Sequence, residues 1–176
     1  MANGDLRTYL GINKPPRQLQ LSWFCGMART LEYIHDQRVL VADIASRNFL
    51  LDSDLTIKFC DFSEASLLPL DVDMDTVDDN GYTTQIDIGF LGAVFYEVVT
   101  GEKVEIGLFK DNTPTDGRAR WPRREFLPST RDVWLGSIIE DCWVDRGFRN
   151  ARSLLQALNS ITSHSPVSKF LNEKRR

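Results

Sequence analysis

Phe24, Met27, Leu31 and Ile34 recur at intervals of three and four, so Gln18 to about Asp36 is predicted as an amphipathic helix with one face on a core. Before it, Asn3-Gly4-Asp5-Leu6 reads as a cap opening a short helix to about Leu10, and Pro15-Pro16 separates the two. Val39-Leu40-Val41 leads into a polar loop. Asn48 to Leu51 and Leu55 to Phe59 are short strand-like runs joined by Asp52-Ser53-Asp54, whose side chains can bond their own backbone in a turn, so a hairpin is expected there. Ser63 to Thr83 shows no period and reads as a solvated loop. Thr84 to Thr100 is apolar almost all round, the pattern of a helix buried on every side, and Gly101 stands where a helix C-terminus wants a left-handed residue. Residues 102–130 are irregular and turn basic at Arg118, Arg120, Arg123 and Arg124. Ser129 or Thr130 is expected to cap a helix to about Trp143, and a further amphipathic helix is expected from about Asn150 to Ile161. The result is one domain, 1–161, with 162–176 as a weakly ordered tail.

Charge and cysteine content narrow the function classes. The net charge of −4 gives no broad basic surface for nucleic acid or an anionic membrane. Cys25, Cys60 and Cys142 are odd in number and far apart, which suits a reducing, intracellular and cytoplasmic setting better than a disulfide framework or a zinc site. No apolar signal core follows Met1. The most apolar run, Ile86 to Val99, is too short to span a bilayer and contains Asp87 and Glu97. Asp71, Asp73 and Asp75 begin like a calcium loop, but Thr76 stands where the turn glycine belongs and Tyr82 where the bidentate Glu belongs. His35 and His164 have no partner pattern and are read as surface or helix-end residues.

The candidate chemistry is concentrated in Val41 to Ser63, VADIASRNFLLDSDLTIKFCDFS. Asp43 and Asn48 stand in a D-x-x-x-x-N frame, and Asp61-Phe62-Ser63 follows one hairpin later. Phosphoryl transfer needs a carboxylate to orient an attacking hydroxyl and oxygen ligands to hold magnesium against nucleotide phosphates. Asp43 suits the first role, and Asn48 with Asp61 the second.

This layout resembles the eukaryotic protein kinases, whose signatures are H-R-D-L-x-x-x-N and D-F-G. Here Val41 and Ala42 replace the His and Arg, Ala45-Ser46-Arg47 is most like the tyrosine-kinase variant of the loop, and Ser63 replaces the Gly. Thr84 to Gly92 is similar to the family's S/T-x-x-S-D-V-W-S-F-G segment. Cys142-Trp143 followed by Phe148-Arg149 is similar to its C-W and R-P pattern, with Asn150 in place of the Pro. The resemblance implies a mainly α (α+β) fold of the large-lobe type: a helical bundle around a buried central helix, with a short β-hairpin carrying the catalytic loop. It implies ATP and magnesium as cofactors, Asp43 as catalytic base and Arg47 as a substrate-positioning residue. Asn48 and Asp61 are implied as metal ligands and Leu50 as the adenine floor. Phe62 and Asp87 are implied as structural residues, Asp87 holding the loop through its backbone N–H groups. Arg149 would pair with the Glu of an A-P-E motif; with none present, Asp78 or Asp79 is the expected partner.

The chain is read as the large lobe alone, without a G-x-G-x-x-G loop or the strand lysine that grips the phosphates. ATP binding is therefore expected to be weak, and transfer impaired. The alternatives are a non-catalytic pseudokinase-type module binding a protein on its small-lobe-facing surface, and a fragment of a complete kinase.

Overall fold

The computed structural model describes residues 2–110 and 116–164. Its elements run α1 (Leu6–Leu10), α2 (Arg17–Asp36), β1 (Val39–Leu40), β2 (Phe49–Leu51), β3 (Ile57–Phe59), β4 (Ser66–Leu67), α3 (Thr84–Thr100), α4 (Gly136–Trp143) and α5 (Ala151–His164), with single 3-10 turns at Ser46–Asn48 and Arg124–Phe126. The architecture is the mainly helical one expected.

α3 is its axis. Ile88, Leu91, Val94, Phe95 and Val98 are buried around its circumference together with Asp87 and Tyr96. Thr83 caps its first turn through the Ile86 N–H, and Gly101 ends it at φ 81°, a left-handed conformation that costs glycine nothing. α2 adds Trp23, Phe24, Met27, Leu31 and Ile34 to the same core. The Phe24 and Phe95 rings meet at 4.2 Å between centroids. Each such side chain removed from water contributes roughly 1.5–3 kcal/mol. Two glycines let α3 be approached closely: a Cβ on Gly89 would lie 2.6 Å from the Trp121 ring, and one on Gly92 2.5 Å from Cys142 Cβ on α4.

The expected hairpin forms with Phe49 opposite Phe59 and Leu51 opposite Ile57. Trp23 Nε1 donates to Leu55 O at 2.7 Å and ties the hairpin turn to α2. Three expectations are corrected. The stretch 63–83 is not wholly irregular, because Ser66–Leu67 pairs antiparallel with Val39–Leu40. α4 starts at Gly136 rather than at Ser129 or Thr130: Asp132 and Leu135 take positive φ, and the Thr130 hydroxyl donates to Glu140 instead of capping. α5 runs to His164, three residues further than its apolar period suggested, capped by Asn150 Oδ1 accepting the Ser153 N–H at 3.1 Å. The rest of the expected tail, 165–176, and the His164 side chain lie outside what is described.

Candidate active site

The site is assembled where the end of α2, the start of α3 and the loop after β1 meet. Asp87, in the first turn of α3, is 1% exposed. Its carboxylate accepts three hydrogen bonds of 2.9 Å: Val41 N–H and His35 Nε2–H on Oδ2, and Ala42 N–H on Oδ1. A buried carboxylate is tolerated when its lone pairs are met by donors in this way. Asp87 therefore bonds the backbone N–H groups of this loop. His35 stands at the helix end, one of its two expected placements, in the last turn of α2, and the same geometry corrects the other, a surface position, since it is 5% exposed. Its position was legible, since His35 lies four residues after Leu31 and seven after Ala28, on the stripe that faces the core.

The clamp holds a tight turn. Ala42 sits at φ 64°, and Asp43 N–H donates to Val41 O at 2.8 Å across it. A left-handed alanine costs roughly 1–2 kcal/mol, which the two bonds from Asp87 to this peptide offset. Asp43 emerges with a third of its side chain exposed, and its carboxylate accepts Arg47 Nη2 at 2.7 and 2.5 Å and Asn48 Nδ2 at 3.1 Å. Asn48 Nδ2 also donates to Asp43 O at 2.9 Å. In the 3-10 turn between them, Ser46 Oγ donates to Glu97 Oε1 of α3 at 2.9 Å, anchoring the loop a second time. Asn48 itself is buried.

The hairpin brings Asp61 to the same rim. Cys60 N–H donates to Asn48 O at 2.8 Å, extending the ladder by one pair and leaving Asp61 one residue beyond Asn48's partner. Asp61 is exposed, at φ 69°, and the Ser63 N–H on its Oδ1 holds its pKa below the ordinary carboxylate value, with the Arg47 charge adding in the same sense. Phe62 stacks edge-on against Phe59 at 5.1 Å and stays 48% exposed. Leu50 lies half-buried on the face of β2 opposite to Phe49 and Leu51. Two cavities open beside Asp43. One, of about 560 Å³, is lined by Asp43, Tyr82, Phe90, Ile106, Leu108 and Phe109 among others; the other, of about 200 Å³, includes Arg47, Glu97 and Val104.

Arg149 does not join Asp78 or Asp79. Its Nη2 pairs with Asp75 Oδ2 at 2.8 Å, while Asp78 is taken by Arg118 at 2.5 Å. At 77% exposed, its side chain is held on the surface and has no need of a buried anion. Among the described residues no cluster of three or more His, Cys, Asp or Glu side chains could hold a metal by itself, and no helix is long and apolar enough to cross a membrane. Asn48 and Asp61 nonetheless supply the hard oxygen donors that magnesium selects when phosphate oxygens complete its shell. Asn48 turns its amide N–H group to Asp43, which leaves its Oδ1 as the available end.

Residues 1–160 match the family described as protein tyrosine and serine/threonine kinase. Among similar proteins, serine/threonine/tyrosine-protein kinase HT1 of Arabidopsis thaliana is 26% identical, over 96% of this chain and 50% of its own. A probable L-type lectin-domain containing receptor kinase S.5 of the same plant is 30% identical over 64% of this chain and 21% of its own. Tyrosine-protein kinase Srms of Mus musculus is 38% identical over 41% of this chain and 15% of its own. The chain thus spans half or less of the length of each of these relatives.

Proposed function

The chain belongs to the protein tyrosine and serine/threonine kinase family, and from that premise we propose that it is the large-lobe half of a phosphoryl-transfer site acting on protein hydroxyls. In this reading Asp43 orients the attacking hydroxyl and accepts its proton, and Arg47 holds the Asp43 carboxylate and the incoming chain. Asn48 and Asp61 hold magnesium against the phosphates of ATP, and Leu50 faces the adenine. The bound metal and nucleotide would supply the charge neutralisation and the transferred group. One observation carries the reading: a single carboxylate, Asp43, is aimed by donors from Arg47 and Asn48 on a turn clamped by Asp87, with Asp61 on the adjoining strand end.

The 176 residues contain no G-x-G-x-x-G sequence. We infer that this lobe transfers phosphate at an appreciable rate only when a nucleotide-covering lobe is supplied, in the same polypeptide or by a partner, and that Mg-ATP binds the lobe weakly. Thermal unfolding with and without Mg-ATP tests this. Ligand at about ten times its Kd contributes about 1.4 kcal/mol, or about 3–6 °C in Tm for a domain of this size. Asp61→Asn should abolish the shift, and a wild-type transition unmoved at millimolar Mg-ATP would sink the nucleotide reading. The exposed Phe62 beside Asp61 supports a second reading, a non-catalytic module on which a partner protein covers Phe62 and Leu50.

A further inference from the structure

We propose that the groove between α2, the 52–56 hairpin turn and the end of α5 is the docking site of the chain's own residues 165–176. The groove holds about 940 Å³, and Leu21, Cys25, Leu55, Ile57, Trp134 and Ile161 line it. All six are only partly buried, although all six pack against the main core. A contiguous apolar surface of this kind marks a binding face rather than an ordinary exterior. Its walls are tied together from within: Trp23 Nε1 donates to Leu55 O at 2.7 Å, joining α2 to the hairpin turn, and the Arg17 guanidinium lies over the Trp134 ring at 5.5 Å. The occupant follows from where α5 leads. Ile161 and Thr162 of its last turn stand on the groove wall, and SPVSKFLNEKRR follows from position 165. Pro166 has no N–H to continue the α5 ladder and disfavours helical backbone at Ser165, so the sequence itself stops α5 beside the groove. Ser165-Pro166 is then a helix-start signal, and Val167, Phe170 and Leu171 recur at three and four, the spacing of one apolar helix face. Val167 is five residues past Thr162, so even a fully extended chain keeps it within about 17 Å of the groove wall. A stripe on so short a tether is presented at roughly millimolar effective concentration, which favours it over a second copy or a free partner.

Cys25 reports on the groove, because it lines the wall and is partly exposed. The other two cysteines are internal controls: Cys142 is buried in α4, and the Cys60 thiol donates to Asn48 O at the other end of the hairpin. Alkylation of the full chain by iodoacetamide, with the rate at each cysteine read by peptide mass mapping, is compared between wild type and two full-length double variants. Phe170→Asp with Leu171→Asp puts two charges on the apolar stripe. Ser168→Asp with Asn172→Asp adds the same charge on the opposite side of the helix. A segment docked about nine-tenths of the time shields the thiol about tenfold, the ratio that about 1.4 kcal/mol of docking gives. Cys25 should therefore react about tenfold faster in the stripe variant and within about twofold of wild type in the control variant, while Cys60 and Cys142 keep their rates in both. Both variants lie outside the folded core, so neither threatens its folding. Equal Cys25 rates in the stripe variant and wild type, equal rates in the two variants, or an acceleration shared by Cys142, which reports general opening, would overturn the proposal. So would a wild-type rate that falls as protein concentration rises, since the occupant would then be a second copy. No nucleotide enters the assay and Asp43 does not line the groove, so the outcome is independent of the kinase reading.

Discussion

Asp87→Asn should be costly in a way that singles out one amide. The two carboxylate oxygens are unequal: Oδ2 accepts two donors and Oδ1 one. The asparagine amide must place its own N–H group at one of these sites, and the Oδ1 site orphans a single donor, Ala42 N–H, where the other would orphan Val41 N–H and His35. The substitution therefore leaves one buried N–H unsatisfied, at about 1–3 kcal/mol, and converts two charge-assisted bonds to neutral ones, at about 1 kcal/mol each. Relief of a buried charge returns part of this. A net loss of about 2–3 kcal/mol corresponds to about 4–12 °C in Tm for a domain of this size. Thermal unfolding gives the total, and amide exchange locates it: Ala42 should lose protection while Val41 largely keeps it. A Tm within 1 °C of wild type, or equal effects at the two amides, would refute the reasoning. The consequence for function follows from Ala42, since its left-handed turn is the piece no longer held and Asp43 is the residue after it.

Gly92→Ala should destabilise even though alanine is the better helix former by about 1 kcal/mol, because the added methyl would lie 2.5 Å from Cys142 Cβ and 3.0 Å from Trp143 Nε1; a net loss of about 1–3 kcal/mol is expected in chemical denaturation, and a gain would show that α4 can withdraw freely. Glu140→Gln tests the polar staple beneath the 124–130 segment, where Arg124 donates to Glu140 at 2.6 and 2.7 Å and Thr130 at 2.7 Å. The Arg124 hydrogen bond holds the Glu140 pKa below its ordinary value of 4.5, so the folded state favours the ionised form. The stabilisation is then present above about pH 4.5 and is lost as pH falls through the depressed folded value. With both side chains about a third exposed, about 1 kcal/mol is expected at neutral pH. The Tm gap between wild type and variant should therefore close on acidification, and a gap constant from pH 7 to pH 3 would count against the pair.

What the sequence made legible divides by the range of the interactions involved. α2 and α3 were readable to within a residue or so because each declares its own face by apolar spacing, and Asp43, Asn48 and Asp61 were readable because one hairpin gathers them within a single stretch. β4 escaped because a pairing of two residues with β1 carries no alternation, and only the partner strand makes Ser66–Leu67 extended. The start of α4 escaped for the opposite reason: Ser129 and Thr130 are good caps locally, but Glu140 competes for the Thr130 hydroxyl and Leu135 is held left-handed before Gly136. Arg149 was assigned the wrong aspartate because composition lists acidic residues without saying which one the loop path delivers; it delivers Asp75, and gives Asp78 to Arg118. His35 was read as a surface or helix-end residue; it does stand at the helix end, and only the surface alternative fails. Its register put it in the core, and a polar residue on a core stripe implies a buried partner, here Asp87.

The same geometry explains how the loop keeps its form after losing the two residues that most define the family's version of it. Asp87 does not bond the side chains at 41 and 42; it bonds their backbone N–H groups, which any residue except proline supplies. Val41 is free to be a buried apolar residue, and it is, at 1% exposure within the main core. Ala42 needs only to tolerate a positive φ, a modest cost that the carboxylate offsets. The placement of Asp43 thus depends on the ends of α2 and α3, two elements fixed by packing, and hardly at all on the side chains beside it. Substitutions at 41 and 42 remove whatever those side chains did elsewhere in the family while leaving Asp43 where it stands. A well-formed Asp43 is for that reason a statement about the core.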